Sequence, residues 1–456
     1  MSLNVIILAA GQGKRMNSKL PKVLQPLAGR PMLGHVLEAG RALQADRLVV
    51  VYGHGGDQVQ AAFQGQADVR WTHQAEQLGT GHAVAQALPE CSEGVALILY
   101  GDCPLITPAT LQALLAAAGE DKLAVLTAMM DNPTGYGRIV RDSAGQITRI
   151  VEQKDANGAE QAIREINTGF IAAPLRHLRD WLPKLKNANA QGEYYLTDII
   201  AMAVEHGVAV AGVIAGDAWE PAGVNDKRQL AELERVYQRR QADKLLAGGV
   251  TLLDPARFDL RGSVSHGQDV EIDVNVILEG RITLGNGVKI GPNVYLKNVT
   301  LGDGVIVKAN TVIEDSTVGA GSDLGPFARV RPDSVLGEKV HIGNFVELKK
   351  ARLGNGSKAG HLAYLGDAVI GERVNVSAGV ITCNYDGANK FTTTIGNDAF
   401  IGTDSQLVAP VTIADGAYIA AGSTITKDAP ADALTICRAR DQRSITGWKK
   451  PTKQKG

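Results

Sequence analysis

Aliphatic residues recur at every sixth position through the C-terminal half of the chain. The runs are Ile272, Leu278, Leu284, Ile290 and Leu296; Val318, Leu324, Val330, Leu336, Ile342 and Leu348; and Ile395, Ile401, Leu407, Ile413, Ile419 and Ile425. Helices repeat near 3.6 residues and strands near 2, so a period of six requires a turn of chain after each short strand. The period therefore predicts a solenoid of the parallel β-helix type. A turn-rich β-sandwich is the alternative, but sandwich strands do not keep phase over such a distance.

Two further features accompany this period of six residues. A glycine often follows the aliphatic residue, as in Ile290-Gly291, Ile342-Gly343 and Ile395-Gly396, and we expect it to let the backbone turn a corner. The regular spacing fails between residues 348 and 395, where polar side chains gather, and residues 383–394 are interpreted as an inserted loop. Because the interior of a β-helix is filled by side chains, chemistry is expected on its outside or in such a loop.

The N-terminal half begins with a different pattern. Apolar stretches at 5–10, 48–52 and 96–100 predict buried parallel strands, and a Gly-rich turn at 11–16 follows the first. Such a turn exposes backbone N–H groups to which a phosphate can bind. Met16 replaces the third glycine of a dinucleotide fingerprint, which disfavours an NAD site. Arg15 and Lys22 can neutralise a triphosphate and its leaving pyrophosphate, although a solvated basic face is the open alternative.

Asp102 follows the stretch 96–100, at the end of a strand where ligands bind in open α/β sheets. A carboxylate beside phosphates has Mg²⁺ as its natural partner. A cap for the following helix is the structural alternative. Between these strands, residues 74–83 form a polar, Gly-rich segment that suits a base- or ribose-reading loop.

Composition narrows the class of protein. The chain has 456 residues, 52 of them glycine, with 45% hydrophobic and only 5% aromatic residues, which fits a solenoid joined to an α/β domain. The net charge of -1 disfavours a general nucleic-acid binder. Four scattered cysteines form neither a metal-ligand spacing nor a disulfide framework. The first apolar stretch is too short for a membrane span, so we expect no span and a cytoplasmic location.

Residues 225–247 predict an amphipathic helix of about six turns, which would act as a linker. The domains are therefore predicted at 1–226 for the α/β nucleotide domain, 227–248 for the linker helix, and 249–456 for the β-helix with its basic C-terminal tail. The predicted fold class is an α/β Rossmann-like domain, which the resemblance given next implies is a nucleotidyltransferase domain, followed by a linker helix and a left-handed parallel β-helix of hexapeptide repeats. The left hand rests on resemblance to hexapeptide-repeat acyltransferases, which also implies trimers with sites between neighbouring prisms.

The N-terminal motifs resemble the signature of sugar-phosphate nucleotidyltransferases. These are Leu8 to Met16, Pro21 to Leu24, Gln74 to Gly81, Tyr100-Gly101-Asp102, Gly135 to Arg138, Val151-Glu152, Glu165 to Gly169 and Gly223-Val224-Asn225. Joined to a β-helix, they resemble the family of bifunctional N-acetylglucosamine-1-phosphate uridyltransferases and glucosamine-1-phosphate N-acetyltransferases. The resemblance implies synthesis of UDP-N-acetylglucosamine for bacterial cell-wall peptidoglycan, and for lipopolysaccharide where it is made. Glucosamine 1-phosphate, acetyl-CoA and UTP are the implied substrates.

The same resemblance implies roles for individual residues. Arg15 and Lys22 would act in uridylyl transfer, with Mg²⁺ held by Asp102 and Asn225. Contacts to UTP and its sugar product would come from Leu8, Ala9, Ala10, Gly11, Lys22, Gln74, Gly79, Thr80, Tyr100, Gly101, Asp102, Gly137, Glu152, Asn167 and Asn225. One departure is Lys14, where the family usually has Thr; it should act through its backbone.

In the β-helix, acetyl transfer to an amine needs a base, and His361 is the best candidate, with a structural histidine as the alternative. Glu347 could orient its imidazole. The resemblance implies that Arg331, Lys349, Tyr364 and Asn375 bind glucosamine 1-phosphate, and that Ala378, Asn384, Tyr385, Thr403, Ala421 and Arg438 bind acetyl-CoA. Past Arg438, the basic tail either solubilises the chain or supplies cations to the CoA phosphates of a neighbouring subunit.

Two other functions are weighed against this one. A single-activity sugar nucleotidyltransferase could use the β-helix only for oligomerisation, but the residues around His361 argue against that. A scaffold or nucleotide-exchange subunit without catalysis could keep both folds, but the presence of Arg15, Lys22, Asp102 and His361 disfavours it.

Overall fold

The computed structural model describes residues 2–438, so the basic tail past Arg438 lies outside the described residues. The chain divides into two units, Met1–Tyr237 and Gln238–Gly456. The α-helices are α1 (Met32–Ala42), α2 (Gly56–Ala62), α3 (Thr80–Ala87), α4 (Pro108–Ala118), α5 (Gly158–Gln161), α6 (Leu175–Trp181), α7 (Asp198–Glu205) and α8 (Lys227–Ala247). Short 3₁₀ helices are Lys14–Met16, Lys22–Leu24, Leu88–Glu90, Leu182–Lys184 and Pro255–Arg257.

The first unit is built on one mixed sheet. Its strands are β1 (Leu3–Ala9), β4 (Arg47–Tyr52), β5 (Val69–His73), β6 (Val95–Tyr100), β7 (Leu123–Met129), β8 (Arg138–Arg141), β9 (Ile147–Val151), β10 (Glu165–Pro174) and β11 (Val210–Ile214), while β2 (Pro26–Leu27) and β3 (Arg30–Pro31) form a separate hairpin. The order is β11-β7-β10-β6-β1-β4-β5, and β10 runs antiparallel to its neighbours β6 and β7. Helices α1, α2 and α4 cover one face and α3, α6 and α7 the other.

The three apolar stretches predicted as strands lie side by side at the centre of this sheet. β1 pairs in parallel with β4 on one side and with β6 on the other. The residues that follow Ala9, Tyr52 and Tyr100 therefore emerge at the same edge of the sheet. This arrangement brings the Gly-rich turn beside Asp102.

The predicted linker helix is present as α8, and the boundary between the two units falls within it. Gly249, at φ +91°, follows the helix in the left-handed conformation that commonly ends helices. Within residues 2–438, no helix combines the length and the apolar character that crossing a membrane requires.

The second unit is a parallel β-helix. Its strands are β12 (Thr251–Leu252), β13 (Phe258–His266), β14 (Glu271–Ile272), β15 (Val276–Leu284), β16 (Lys289–Ile290), β17 (Tyr295–Leu301), β18 (Ile306–Val307), β19 (Val312–Val318), β20 (Asp323–Leu324), β21 (Arg329–Val330), β22 (Val335–Leu336), β23 (His341–Asn344), β24 (Glu347–Lys349), β25 (Arg352–Leu353), β26 (Lys358–His361), β27 (Tyr364–Gly366), β28 (Ala368–Ile370), β29 (Asn375–Val376), β30 (Ile381–Cys383), β31 (Thr393–Ile395), β32 (Phe400–Ile401), β33 (Gln406–Val408), β34 (Val411–Ile413), β35 (Tyr418–Ile419), β36 (Thr424–Ile425) and β37 (Leu434–Thr435). All the pairings recorded between these strands are parallel. The aliphatic residues of the six-residue repeat point inward and form one core.

The register of the coils explains the period of six. Ile272 pairs with Ile290, and Leu278 with Leu296, so one coil of 18 residues holds three hexapeptides. A coil of 17 residues, such as that from Ile290 to Val307, accounts for a single five-residue step. The prediction of a hexapeptide β-helix is confirmed.

The interpretation that the regular spacing fails throughout residues 348–395 is wrong, whereas the inserted loop predicted at residues 383–394 is present between β30 and β31. The coils continue through residues 348–382, where Ala359 and Thr382 occupy inward positions that the search for aliphatic residues missed. Only the segment between β30 and β31 leaves the solenoid, as Val376 pairs with Ile401 across an enlarged coil.

The role of the repeated glycines is also different from the prediction. Gly343 and Gly396 are not left-handed; instead, a Cβ on Gly343 would lie 1.8 Å from the carbonyl oxygen of Gly360 in the next coil. A Cβ on Gly396 would lie 2.3 Å from Oδ1 of Asp415. These glycines therefore permit close stacking of coils. The left-handed positions are shared by Asn and Asp, such as Asn293 at φ 59°, and by other glycines that do not follow the aliphatic residue, such as Gly287 at φ +64°.

We expect Gly343→Ala to destabilise the β-helix by about 2–3 kcal/mol, because the added methyl group forces two coils apart. Gly360→Ala is the matched control: a Cβ there meets nothing within 4 Å. Urea denaturation followed by circular dichroism measures both free energies of unfolding. Equal stability of the two variants would contradict this explanation of the glycines.

Candidate active sites

The Gly-rich turn of the first unit leads directly from β1 to an exposed backbone. Leu8, Ala9 and Ala10 are buried, so only their backbone can face a ligand, whereas Gly11 is exposed and a Cβ on it would meet nothing within 4 Å. Gly13, at φ +60°, lies so close to Lys22 that a Cβ on it would be 2.7 Å from the Cβ of Lys22. The turn therefore leaves space for a phosphate and brings Lys22 alongside it.

Three distant segments meet at the carboxyl edge of the sheet. The ammonium group of Lys22 donates to a carboxylate oxygen of Asp102, and it lies 3.4 Å from Oδ1 of Asn225. The N–H of Val224 donates to the carbonyl oxygen of Asp102 at 3.0 Å, which fixes Asn225 next to it. The side chains of Lys22 and Asp102 are only 14% and 15% exposed, so their charges are partly shielded from water.

The pair Asp102 and Asn225 fits a magnesium ion. Both side chains present an oxygen to one cation, the Lys22 ammonium, and oxygen is the ligand that Mg²⁺ prefers. Mg²⁺ commonly takes one or two protein ligands and completes its shell with phosphate and water. The described residues contain no group of three or more His, Cys, Asp or Glu side chains that could hold a metal alone. Substrate phosphates would have to complete the shell.

Arg15 lies in the 3₁₀ helix Lys14–Met16 and is exposed. Within the described residues it makes no ion pair, so its guanidinium is available for an anion. On the neighbouring loop, Gly79 caps α3 at φ +112°, and a Cβ on it would lie 2.7 Å from the carbonyl oxygen of Tyr194. Thr80 Oγ1 accepts from the N–H of Leu196 at 3.1 Å. The loop is thus held against a segment distant in sequence.

Gln74 is buried, and its side chain forms hydrogen bonds that stabilise this loop. Its amide nitrogen lies 3.2 Å from the carbonyl oxygen of Gly79, to which it donates, and 3.0 Å from Nδ1 of His82. The amide oxygen of Gln74 is then the group left to accept from a ligand. Gly101 is buried and donates its N–H to the carbonyl oxygen of Leu8 at 2.9 Å, so it contributes close packing of β1 and β6.

Glu152, Gly137 and Asn167 form a second cluster, and Tyr100 lies near both Glu152 and Asp102. A Cβ on Gly137 would lie 3.4 Å from both carboxylate oxygens of Glu152, and the carbonyl oxygen of Gly137 accepts from the N–H of Asn167 at 2.8 Å. Asn167 Oδ1 accepts from the N–H of Gly169, which leaves its NH₂ group to donate. Burial raises the pKa of Tyr100, and the nearby carboxylates Glu152 and Asp102 add to the effect.

Sequence reasoning missed Thr197, whose hydroxyl donates to Oε1 of Glu152 at 3.1 Å. Burial raises the pKa of Glu152, and this hydrogen bond opposes the shift. Thr197 is buried at the start of α7, far along the chain from Glu152, and no motif in the sequence pairs the two.

In the second unit, His361 lies at the end of β26 and is exposed. Its Nδ1 donates to Oδ1 of Asn344 in the preceding coil at 2.9 Å, which leaves Nε2 with the lone pair that a base needs. Within one chain, Glu347 does not orient this imidazole, because it accepts from Arg331 at 2.9 Å instead. Asn344 was missed because the residue that supports His361 is set by the coil register.

The coil register also aligns several residues assigned to acetyl-CoA. Ala359, Val376, Ile401 and Ile419 pair in succession, so the residues two positions further on share one corner of the solenoid: His361, Ala378, Thr403 and Ala421. The carbonyl oxygens of Ala378 and Thr403 each accept from the next coil at 2.8 Å. We call these four residues the His361 column. Arg438 is exposed.

The other predicted residues gather on a different face. A Cβ on Gly366 would lie 2.4 Å from the hydroxyl of Tyr364 and 2.8 Å from Nδ2 of Asn384, so this glycine brings the two side chains together. Lys390, in the inserted loop, contacts Lys349, and this second ammonium group lowers the pKa of Lys390. The sequence analysis missed Lys390, although its charge within a loop beside polar residues was a usable signal.

Asn375 lies apart from this cluster, whereas Tyr385 follows Asn384 in the inserted loop and forms a backbone bridge with Lys390. Asn375 lies on β29, where it donates to Ser377, and the exposed hydroxyl of Tyr385 donates to the carbonyl oxygen of Gly387 within the loop. In the described part of one chain, no hydrogen bond or ion pair links His361 to Arg331, Lys349 or Tyr364. The predicted acetyl-transfer residues therefore occupy two separate regions of a single β-helix.

Fold and sites together define a class: a nucleotidyltransferase domain joined to a hexapeptide-repeat transferase. Family models agree, since a MobA-like NTP transferase domain matches residues 5–254, a GMPPB C-terminal domain matches 260–353, and the bacterial transferase hexapeptide (six repeats) matches 392–427. The bifunctional protein GlmU of Stutzerimonas stutzeri (strain A1501) is 60% identical over 454 residues, with 100% of both chains covered. That of Azoarcus sp. (strain BH72) is 58% identical over 454 residues, covering 99% of this chain and all of the relative.

The chain belongs to the GlmU family of bifunctional proteins. The predicted bifunctional enzyme of UDP-N-acetylglucosamine synthesis is confirmed, and the single-activity alternative is not favoured. Among solved structures, a nucleotidyl transferase from Methanothermobacter thermautotroptrophicus (Mth528) covers 52% of this chain at 22% identity with a TM-score of 0.40. A match this weak adds nothing to the assignment.

We expect Glu152→Gln to stabilise the chain at pH 7 relative to the unmodified protein. Because burial raises the pKa of Glu152 in the folded state, its ionisation costs stability as pH rises past the ordinary carboxyl range, about pH 4. Glutamine carries no charge and can still accept from Thr197. Urea denaturation from pH 5 to pH 8 should show a difference that grows with pH.

Glu120→Gln, at an exposed position, is the control and should show no such trend. A Glu152→Gln variant that is less stable at pH 8 than at pH 5, relative to the unmodified chain, would contradict a buried carboxylate with a raised pKa.

Proposed function

We propose that the two reactions use separate sites, uridylyl transfer at the carboxyl edge of the first-unit sheet and acetyl transfer on the outside of the β-helix. The observation that carries the proposal is the convergence of Lys22, Asp102 and Asn225 from three distant segments, in a unit other than that of His361. Each cluster has side chains that suit only one of the two reactions.

In uridylyl transfer, a phosphate oxygen of N-acetylglucosamine 1-phosphate attacks the α-phosphorus of UTP, and the bond to the leaving pyrophosphate breaks. The attacking phosphate is already ionised, so this step needs no general base. Positioning and charge neutralisation supply the rate enhancement. Lys22 and Arg15 neutralise the phosphates, and Asp102 and Asn225 would hold the Mg²⁺ ion, which supplies further positive charge when bound.

The sugar is held by the cluster of Gly137, Glu152 and Asn167. The free NH₂ group of Asn167 can donate to a carbonyl or hydroxyl oxygen, while Glu152 accepts from a hydroxyl. The uncovered backbone of Gly137 lets a ring approach the carboxylate of Glu152 closely. Gly11, Gln74, Gly79 and Thr80 remain our candidates for the nucleotide.

In acetyl transfer, the amine of glucosamine 1-phosphate attacks the thioester carbonyl of acetyl-CoA, and the carbon–sulfur bond breaks to release CoA. Nε2 of His361 takes a proton from the attacking nitrogen. Asn344 holds the tautomer that leaves Nε2 free. The His361 column rises about 4.8 Å per coil, so it spans roughly 14 Å to Ala421 and offers a track for the extended arm of CoA.

The cluster of Arg331, Lys349 and Lys390 suits the sugar phosphate. Two neighbouring ammonium groups, Lys349 and Lys390, repel each other until an anion joins them. Tyr364 and Asn375 remain our candidates for the amino sugar, and Arg438 for CoA.

The two activities should be lost independently. We expect His361→Ala to lower acetyl transfer by about 100- to 10,000-fold, since a general base is removed. Asp102→Ala should lower Mg²⁺-dependent uridylyl transfer by about 100-fold or more, because the carboxylate that would hold the metal is lost. Release of free CoA measures the first reaction and release of pyrophosphate the second.

Each variant serves as the control for the other. His361→Ala should keep full pyrophosphate release, and Asp102→Ala full CoA release. Loss of both activities in either variant, with an unchanged circular dichroism spectrum, would contradict separate sites.

We also propose that the chain assembles as a homotrimer. The separation of the His361 column from Lys349 and Tyr364 within one chain supports sites completed between neighbouring β-helices, as hexapeptide-repeat transferases arrange them. Light scattering of the full chain should give three times the 48.1 kDa of one chain. A monomer with full acetyl-transfer activity would refute the shared site.

A further inference from the structure

We propose that Asp367 is a positioning residue of the acetyl-transfer site, where its carboxylate fixes the orientation of the Asn384 side chain and holds the base of the inserted loop. The inference rests on the proposed acetyl-transfer function of this face, to which it adds a residue that the sequence did not indicate.

Asp367 lies at a corner of the solenoid, directly after β27, with a left-handed backbone at φ 47°. Its N–H donates to the carbonyl oxygen of Lys349 at 2.9 Å, which places it next to a residue assigned to the sugar phosphate. One coil further on, the chain leaves the solenoid after β30 and returns at β31. Asp367 therefore sits at the foot of the loop.

Asp367 holds both ends of that loop. Its carboxylate accepts from Nδ2 of Asn384, where the loop begins, at 2.5 Å. Its backbone carbonyl accepts from the N–H of Thr393, where the loop ends, at 3.2 Å. Between these points the loop carries Lys390 toward Lys349. The position of Lys390 thus depends on this anchor.

The contact with Asn384 also decides which way its amide faces. An ionised carboxylate only accepts hydrogen bonds, so the NH₂ group of Asn384 must point at Asp367 and Oδ1 must point away from it. The amide nitrogen lies on the side of Tyr364 and is engaged by Asp367, so the amide oxygen is the group left as an acceptor. An acceptor suits the amine of the sugar and does not suit a thioester carbonyl, which needs a donor.

Asp367 has an electrostatic effect as well. Its negative charge opposes the mutual repulsion of Lys349 and Lys390. Removal of its charge leaves both lysines free to attract the sugar phosphate. A variant without the charge should therefore bind the phosphate at least as well, and yet react more slowly.

The test is Asp367→Asn in the full chain, since asparagine also adopts the left-handed corner. Asparagine can donate to Asn384, so the amide of Asn384 is free to rotate. We expect kcat for acetyl transfer to fall between about 10- and 100-fold. The KM for glucosamine 1-phosphate should stay the same or fall, and pyrophosphate release by the first unit should not change.

Asp315→Asn is the matched control. Asp315 occupies a left-handed position (φ 42°) at the equivalent corner of an earlier coil, and it likewise accepts from an asparagine, Asn298, at 2.8 Å. The same chemical change there should leave acetyl transfer unaltered, because no predicted substrate residue takes part in that contact.

The exchange variant Asp367→Asn with Asn384→Asp provides the rescue. It restores the hydrogen bond with donor and acceptor exchanged, and the second oxygen of the relocated carboxylate again presents an acceptor to the substrate. Most of the lost kcat should return. The proposal is overturned if Asp367→Asn keeps full kcat, if its KM rises in step with the loss, if Asp315→Asn loses as much, or if the exchange restores nothing. Absence of acetyl transfer in the unmodified chain would instead refute the proposed function of this face.

Discussion

Close stacking of successive coils is the constraint on which the second unit depends. Backbone N–H groups of the strands find their acceptors one coil away, so most residues lie beside the residue 17 or 18 positions further on. The exceptions are the enlarged coil that carries the loop and the coils at the two ends, where the spacing is 20 and 16 residues. Glycines such as Gly343 permit this approach because no Cβ stands between the coils. The inward aliphatic residues bury one continuous core and hold the register. A functional residue in a β-helix is therefore positioned by its coil number and its place within the coil.

This constraint explains why the site residues are spread along the sequence in such a regular way. His361, Ala378, Thr403 and Ala421 share a corner only because the register aligns Ala359, Val376, Ile401 and Ile419. Asn344 supports His361 for the same reason, as its counterpart in the preceding coil. The first unit follows a different rule: parallel strands end at one edge, and Asp102, Lys22 and Asn225 converge there from loops that have no common spacing.

Much of the fold follows from local patterns in the sequence. The period of six predicts the β-helix, and apolar stretches predict the central strands of the first sheet, since each pattern records burial on one side of a repeating element. The candidate residues Lys22, Asp102 and His361 follow from the chemistry that each reaction needs. The residues that contact and orient these candidates cannot be predicted in the same way. Thr197 reaches Glu152 across 45 positions of sequence, and Asn344 displaces Glu347 as the support of His361, because such contacts arise from tertiary packing alone.

The glycines of the hexapeptides are part of a correctly predicted pattern, but the physical reason expected for them is wrong. Glycine after an aliphatic residue suggests a turn, yet Gly343 and Gly396 are not left-handed, and the left-handed positions are taken by Asn, Asp, Lys350 at φ 48° and other glycines such as Gly287. The glycines that directly follow the aliphatic residue, such as Gly343 and Gly396, are therefore required for space between coils and not for backbone freedom. Close stacking also determines what happens at the inserted loop, where the chain leaves the solenoid between β30 and β31. A loop that leaves a stack of coils exposes the corner below it, and Asp367 occupies that corner, where a carboxylate can satisfy the donors that the departing chain leaves behind. Asp367 supplies the hydrogen bonds that the stack cannot, since the stack itself provides them only to residues that remain in register.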